Sequence, residues 1–233
     1  MTVLDVVRRL PDVPVLRDLC RSLAMLDAIL SPDHLFRCYS FDRRWGPSQE
    51  MASMNNGQGD DFSLVLVPAG ACLRGFDHES PMSPYAGDGD RDGPWPGICD
   101  GIPDELRTAG ITEPAFCDED GLPRVTACVW RTPDSPVWRA GDIDFPTGHP
   151  DPDGSDRLFR LLVDPTPDAY HAFARVHHEA LPDLSAVQHL YALRPLTSEV
   201  IAALNPEVTL DALHDDIETI GYPHAEAREE HGG

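Results

Sequence analysis

The apolar residues Leu16, Leu19, Leu23, Leu26 and Leu30 recur at three- and four-residue steps, and Ser31-Pro32-Asp33 ends the run. That spacing predicts an amphipathic helix with one face on a core. Over residues 36–45 the period shortens to two, with Tyr39, Phe41 and Trp45 on one side and Cys38, Ser40 and Asp42 on the other, which predicts a strand. Residues 51–60 read as a turn or loop rich in glycine and asparagine. Residues 62–67 form the strongest strand pattern in the chain. Pro68-Ala69-Gly70 turns that strand into a second one over residues 71–77, predicting an antiparallel hairpin.

Residues 80–103 have the proline and glycine content of a loop, at a length that tends to be functional. A short helix follows at 104–109, a strand at 125–131 and a last strand near 142–145. Beyond Pro152 the pattern is helical, over residues 158–163, 168–181, 184–192, 198–204 and 210–220. In the last of these Leu210, Leu213, Ile217 and Ile220 form a stripe, with Thr209 placed to cap its start and Gly221 its end. This order predicts an α+β fold: an antiparallel meander with an N-terminal helix and a C-terminal group of helices packed on one face. It is read as one domain over residues 1–222, followed by a flexible polar tail at 223–233.

Composition narrows the choice of partner. The chain of 233 residues is 41% apolar, enough for an ordinary core. It carries 40 acidic residues, 28 of them Asp, against 18 basic ones, every one an arginine, for a net charge of −22. Such a balance repels phosphate backbones and anionic lipid, so neither nucleic acid nor membrane is expected as a partner. A cationic protein is the complementary choice. No apolar run has the length of a signal peptide or membrane span, which predicts a cytoplasmic protein. Cys20, Cys38, Cys72, Cys99, Cys117 and Cys128 contain no C-x-x-C pair and read as reduced, mostly buried thiols. No cofactor is required by the sequence.

The candidate chemistry centres on Gly75-Phe76-Asp77-His78-Glu79-Ser80. A half-buried strand has no structural need for three ionisable residues in succession, so Asp77, His78 and Glu79 are the candidate catalytic or metal-binding group. If the strand continued, Asp77 and Glu79 would share a face and His78 would point away; they meet only if it ends at Gly75. The bland alternative is a hydrogen-bonded cluster that fixes the next loop. Asp88, Asp90 and Asp92 match the start of a calcium loop, D-x-D-x-D-G. The match fails at the twelfth position, where Cys99 stands in place of glutamate, and Pro94-Trp95-Pro96 precludes the following helix. A second acidic loop, from His149 to Asp156, reads as hydrated surface. Tyr85, Trp95 and Trp130 could line a groove beside the acidic trio, or lock the loop onto the sheet. Neither a phosphate-binding G-x-x-x-x-G-K-[ST] nor a G-x-S-x-G nucleophile motif is present.

Trp45-Gly46-Pro47, Met54-Asn55-Asn56-Gly57, the Gly75–Ser80 run, Trp95-Pro96-Gly97, Tyr191-Ala192-Leu193-Arg194-Pro195-Leu196-Thr197, Leu204-Asn205-Pro206 and Ile220-Gly221-Tyr222-Pro223 together resemble a family of uncharacterised bacterial proteins. The resemblance spans residues 36–223 and implies a bacterial, intracellular, single-domain protein, with no activity and no functional residue attached. In element order and charge the chain is also similar to small acidic immunity proteins that neutralise toxins, an analogy at the level of fold. Two functions follow as expectations: a non-catalytic acidic protein that binds a basic protein partner, or a metal-assisted hydrolase using Asp77, His78 and Glu79.

Overall fold

In the computed structural model, which describes residues 1–87, 92–178 and 181–224, the leucine stripe becomes the centre of the molecule. A short helix α1 (Val3–Arg9) precedes α2 (Val13–Leu30). The residues from Leu23 to Ile29 are buried all the way round α2. The helix is therefore enclosed, with the sheet on one side and later helices on the other.

Five strands follow in meander order: β1 (Tyr39–Gly46), β2 (Gln49–Asn55), β3 (Asp61–Val67), β4 (Gly70–Phe76) and β5 (Ala127–Arg131). All neighbours are antiparallel, and the predicted hairpin is β3–β4, in register from Asp61–Phe76 to Val67–Gly70. Strand β2 lies where a loop was expected. Its Met, Ala, Ser and Asn carry little strand propensity, but pairing on both edges with β1 and β3 overrides that weakness, and Ala52 and Met54 face the core. The strand expected near 142–145 does not form; Asp142 and Ile143 instead pack against Gly97 as irregular backbone.

One face of the sheet presents Tyr39, Phe41, Phe62, Leu64 and Leu73 to α2 and the C-terminal helices. These helices are α4 (Ser155–Leu158), α5 (Arg160–Val163), α6 (Pro167–His177), α7 (Leu184–Tyr191), α8 (Ser198–Leu204) and α9 (His214–Ile220); α3 (Asp104–Gly110) covers β3 and β4 from the other face. The stripe predicted over 210–220 is split into a 3-10 turn (Asp211–Leu213) and α9. Thr209 accepts from Ala212 N–H at 3.2 Å, and Gly221 closes the helix at φ 67°. Helix α6 ends at His177, four residues before the predicted end, and so delivers His178 to the core side of α2. One buried apolar cluster runs from Val3 to Tyr222. Among the described residues, no helix is long and apolar enough to cross a membrane.

Candidate functional site

Strand β4 ends at Phe76, so the Asp-His-Glu run begins on the loop that leaves the sheet. Asp77 and His78 meet Asp60, the residue before β3; their ligand atoms lie within 4.8 Å of one another. Asp60 Oδ1 accepts from the His78 backbone N–H (3.1 Å) and pairs with His78 Nδ1 (2.7 Å), while Oδ2 accepts from Asn56 Nδ2 (2.7 Å). Glu79 stays outside: its side chain is 77% exposed, and its carboxylate comes only to 4.0 Å from His78 Nε2.

The residue that closes this cluster was not anticipated. Arg157, from α4, forms ion pairs with Asp60 Oδ2 at 2.6 Å and with Asp77 Oδ2 at 2.7 Å. It is brought there by the second acidic loop, which is built into the fold rather than hydrated. Asp151 accepts from the backbone of Asp156 and Arg157, and buried Asp153 accepts from Val3 N–H at 2.8 Å and from Ser155 N–H at 3.0 Å. Ser80 Oγ donates to the Pro152 carbonyl at 2.6 Å. At Gly154, φ is 75° and an added Cβ would stand 2.4 Å from Asp77 Cβ, so only glycine allows this approach.

Burial raises the Asp60 carboxyl, but the hydrogen bonds from His78 and Asn56 and the charge of Arg157 outweigh it and hold the group below its ordinary value. His78 is raised above its ordinary value, first by the hydrogen bond to Asp60. Burial alone would lower Arg157; Asp77 and Asp60 reverse that. The arrangement is a clamp in which a guanidinium occupies the space between the two carboxylates, and an added cation would have to displace it.

The other predicted residues are dispersed. Asp88 and Asp90 lie outside the described residues. Asp92 lines a groove with Tyr85, Asp118 and Asp120, in which the Tyr85 hydroxyl donates to Asp118 at 2.8 Å. Trp95 packs on the core with its Nε1 on the Asp144 carbonyl (3.0 Å). Trp130 is buried within β5, 3% exposed. Four of the six cysteines are buried and all are free; burial pushes Cys20 up to about 12 and Cys99 up to about 11.

A second polar cluster opens on a cleft of about 750 Å³ between the end of α2, the 3-10 turn His34–Phe36, residues 55–57 and the end of α6. Asp27, fully buried, accepts from the backbone N–H groups of Cys38 and Tyr39, each at 2.7 Å, through Oδ2. Its Oδ1 meets Tyr170 OH (3.3 Å) and His178 Nε2 (3.1 Å). The far side of the same imidazole, Nδ1, is 3.1 Å from Ser31 Oγ. Arg37 lines the cleft, its Nε on the Ser31 carbonyl (2.9 Å) and its other nitrogens on Asp216 (2.5 and 3.0 Å) and the Pro32 carbonyl. Beside it, Leu35 and Phe36 are 87% and 70% exposed. Asp27 carried a readable signal, an acid at i+4 from Leu23 on the buried stripe of α2. His178 carried none, since nothing local relates it to Asp27.

The chain matches no protein-family model, and comparison with curated proteins and with solved structures finds no match either.

Proposed function

We propose that this is an acidic interaction protein that binds a basic protein partner over the cleft at the end of α2, in the manner of an immunity protein neutralising a cationic toxin. The observation that carries the reading is the pair Leu35 and Phe36, adjacent large apolar side chains held in solvent at the cleft mouth. Isolated exposed apolar residues are ordinary, but two neighbours on a hydrogen-bonded turn beside a cleft form an anchor that a partner can desolvate. Val176, 76% exposed, follows on the adjoining helix.

Charge supports the sign of the partner. Arg17, Arg37, Arg74, Arg124, Arg131 and Arg157 are each engaged with carboxylates of the chain itself, so much of the scarce positive charge is used internally. With a net charge of −22, a cationic partner would be steered to this surface.

The test places a photo-crosslinking amino acid at position 36 and irradiates the protein in its host cells and in extracts of low and high salt. The reading expects one basic protein captured from position 36, lost at high salt and not captured from Thr108 on α3. Capture of an acidic protein, or capture indifferent to salt, would count against it.

A further inference from the structure

Ser31, His178 and Asp27 stand in the order hydroxyl, imidazole, carboxylate, with 3.1 Å at each link, and both Ser31 and His178 line the cleft. We infer that Ser31 is a nucleophile activated by His178, able to take an acyl group from a small ester of apolar character. The inference goes beyond the binding reading and does not depend on it.

The proposed step uses the tautomer in which Nε2–H donates to Asp27 Oδ1. That leaves the Nδ1 lone pair to accept from Ser31 Oγ–H. The two ring nitrogens have exchanged places relative to the usual serine–histidine–aspartate order. The chemistry asks only that one nitrogen face a carboxylate and the other the hydroxyl. Asp27 is itself held by two backbone N–H groups and Tyr170, so the ring is fixed at a buried anchor and its side chain is 4% exposed. Ser31 is the C-terminal cap of α2, its N–H on the Asp27 carbonyl at 2.7 Å, and Arg37 grips its carbonyl. The base is thus held by the buried Asp27 carboxylate, and the nucleophile by the helix-end backbone hydrogen bond and the Arg37 side chain.

In the step proposed, Ser31 Oγ attacks the ester carbonyl carbon while its proton passes to His178 Nδ1. The carbonyl π electrons move to oxygen, and the imidazolium faces Asp27. Collapse of the tetrahedral species re-forms the carbonyl and expels the alcohol, which takes the proton from Nδ1. Water then repeats the sequence on the acyl-serine, giving the carboxylic acid and free Ser31. Leu30, Pro32, Leu35 and Phe36 form the apolar part of a cleft wall that also holds Asp33, Arg37, Asn55 and Asn56, and give an uncharged acyl chain a surface to lie on.

A fluorophosphonate probe, with peptide mapping by mass spectrometry, tests this on the full chain, with p-nitrophenyl butyrate as the turnover substrate. The expected result is one adduct on Ser31, absent in Ser31→Ala and at least roughly a hundredfold slower in His178→Gln. Ester hydrolysis should fall in parallel, in variants whose thermal melting shows that they fold. An unmodified Ser31 under excess probe, equal labelling in His178→Gln, or undiminished hydrolysis in Ser31→Ala would overturn the inference. Because the readout is a covalent adduct, it is independent of whether a protein partner is ever captured.

Discussion

Asp27 and His178, 151 residues apart in the chain, meet at 3.1 Å inside the core. The contact ties the last turn of α2 to the end of α6, and the same carboxylate receives the N–H groups of Cys38 and Tyr39 at the start of the sheet. Asp27→Ala therefore leaves the Cys38 and Tyr39 N–H groups buried without an acceptor. A loss of about 3 kcal/mol or more is expected in urea unfolding, whereas Asp27→Asn, which keeps one accepting oxygen, should lose less.

Arg157 joins Asp60 to Asp77, and removing it leaves two neighbouring carboxylates facing each other. Arg157→Met should destabilise by about 2 kcal/mol, a figure reduced from that for a fully buried pair because the arginine side chain is partly exposed. The same variant vacates the space between the carboxylates. Titration calorimetry with Mn²⁺ should show no binding to this cluster in the native protein and weak binding in the variant. Stoichiometric binding by the native protein would mean that the guanidinium moves aside.

The two ends of that clamp titrate in opposite senses. Asp60 is held below its ordinary value of 3.8, so its contribution is present above that pH and is lost as pH falls through the lowered value. His78 is held above 6.5, so its contribution is complete below that pH and is lost as pH rises through the raised value. Stability carried by this cluster should be greatest between about pH 4 and 6.5. His78→Gln should flatten the alkaline side of the profile, and the imidazole resonances followed by NMR should titrate late.

Gly154 is the point of closest approach between the second acidic loop and Asp77. Gly154→Ala adds a methyl group in a left-handed conformation against a side chain that cannot retreat, and a cost of about 2 kcal/mol or more is expected. Hydrogen exchange should show the Val3 and Ser155 amides losing protection with it.

Leu35 and Phe36 contribute little to the core, so the double variant Leu35→Ser, Phe36→Ser should unfold within about 0.5 kcal/mol of the native protein. Capture of the basic partner should fall sharply in the same variant, and a protein that binds as before would move the docking surface elsewhere.

Local pattern determined most of the framework. The 3.6-residue spacing of leucines specified α2, alternation specified β1, the apolar run over 62–67 and its Pro-Ala-Gly turn specified the β3–β4 hairpin, and Thr209 and Gly221 marked the ends of the last helical segment, because caps and periodicity act over a few residues. Charge was equally legible: a chain with arginine as its sole cation and an excess of Asp has an acidic surface in any fold. Strand β2 was not legible, since its residues are weak strand formers held by neighbours on both edges.

The sites were decided by tertiary structure. Asp77 and His78 were recognised as candidates, but the partner that completes their cluster, Arg157 on α4, is positioned by the acidic loop His149–Asp156, which local sequence presents as solvated surface. Glu79, adjacent in sequence, takes no share in it. Ser31, Asp27 and His178 come from the end of a helix, the core face of that helix and the end of another helix. The physical reason is one of range: periodicity reports which side of an element faces the core, whereas a hydrogen-bonded site depends on which elements cross there. That crossing is set by the packing of the whole core around α2.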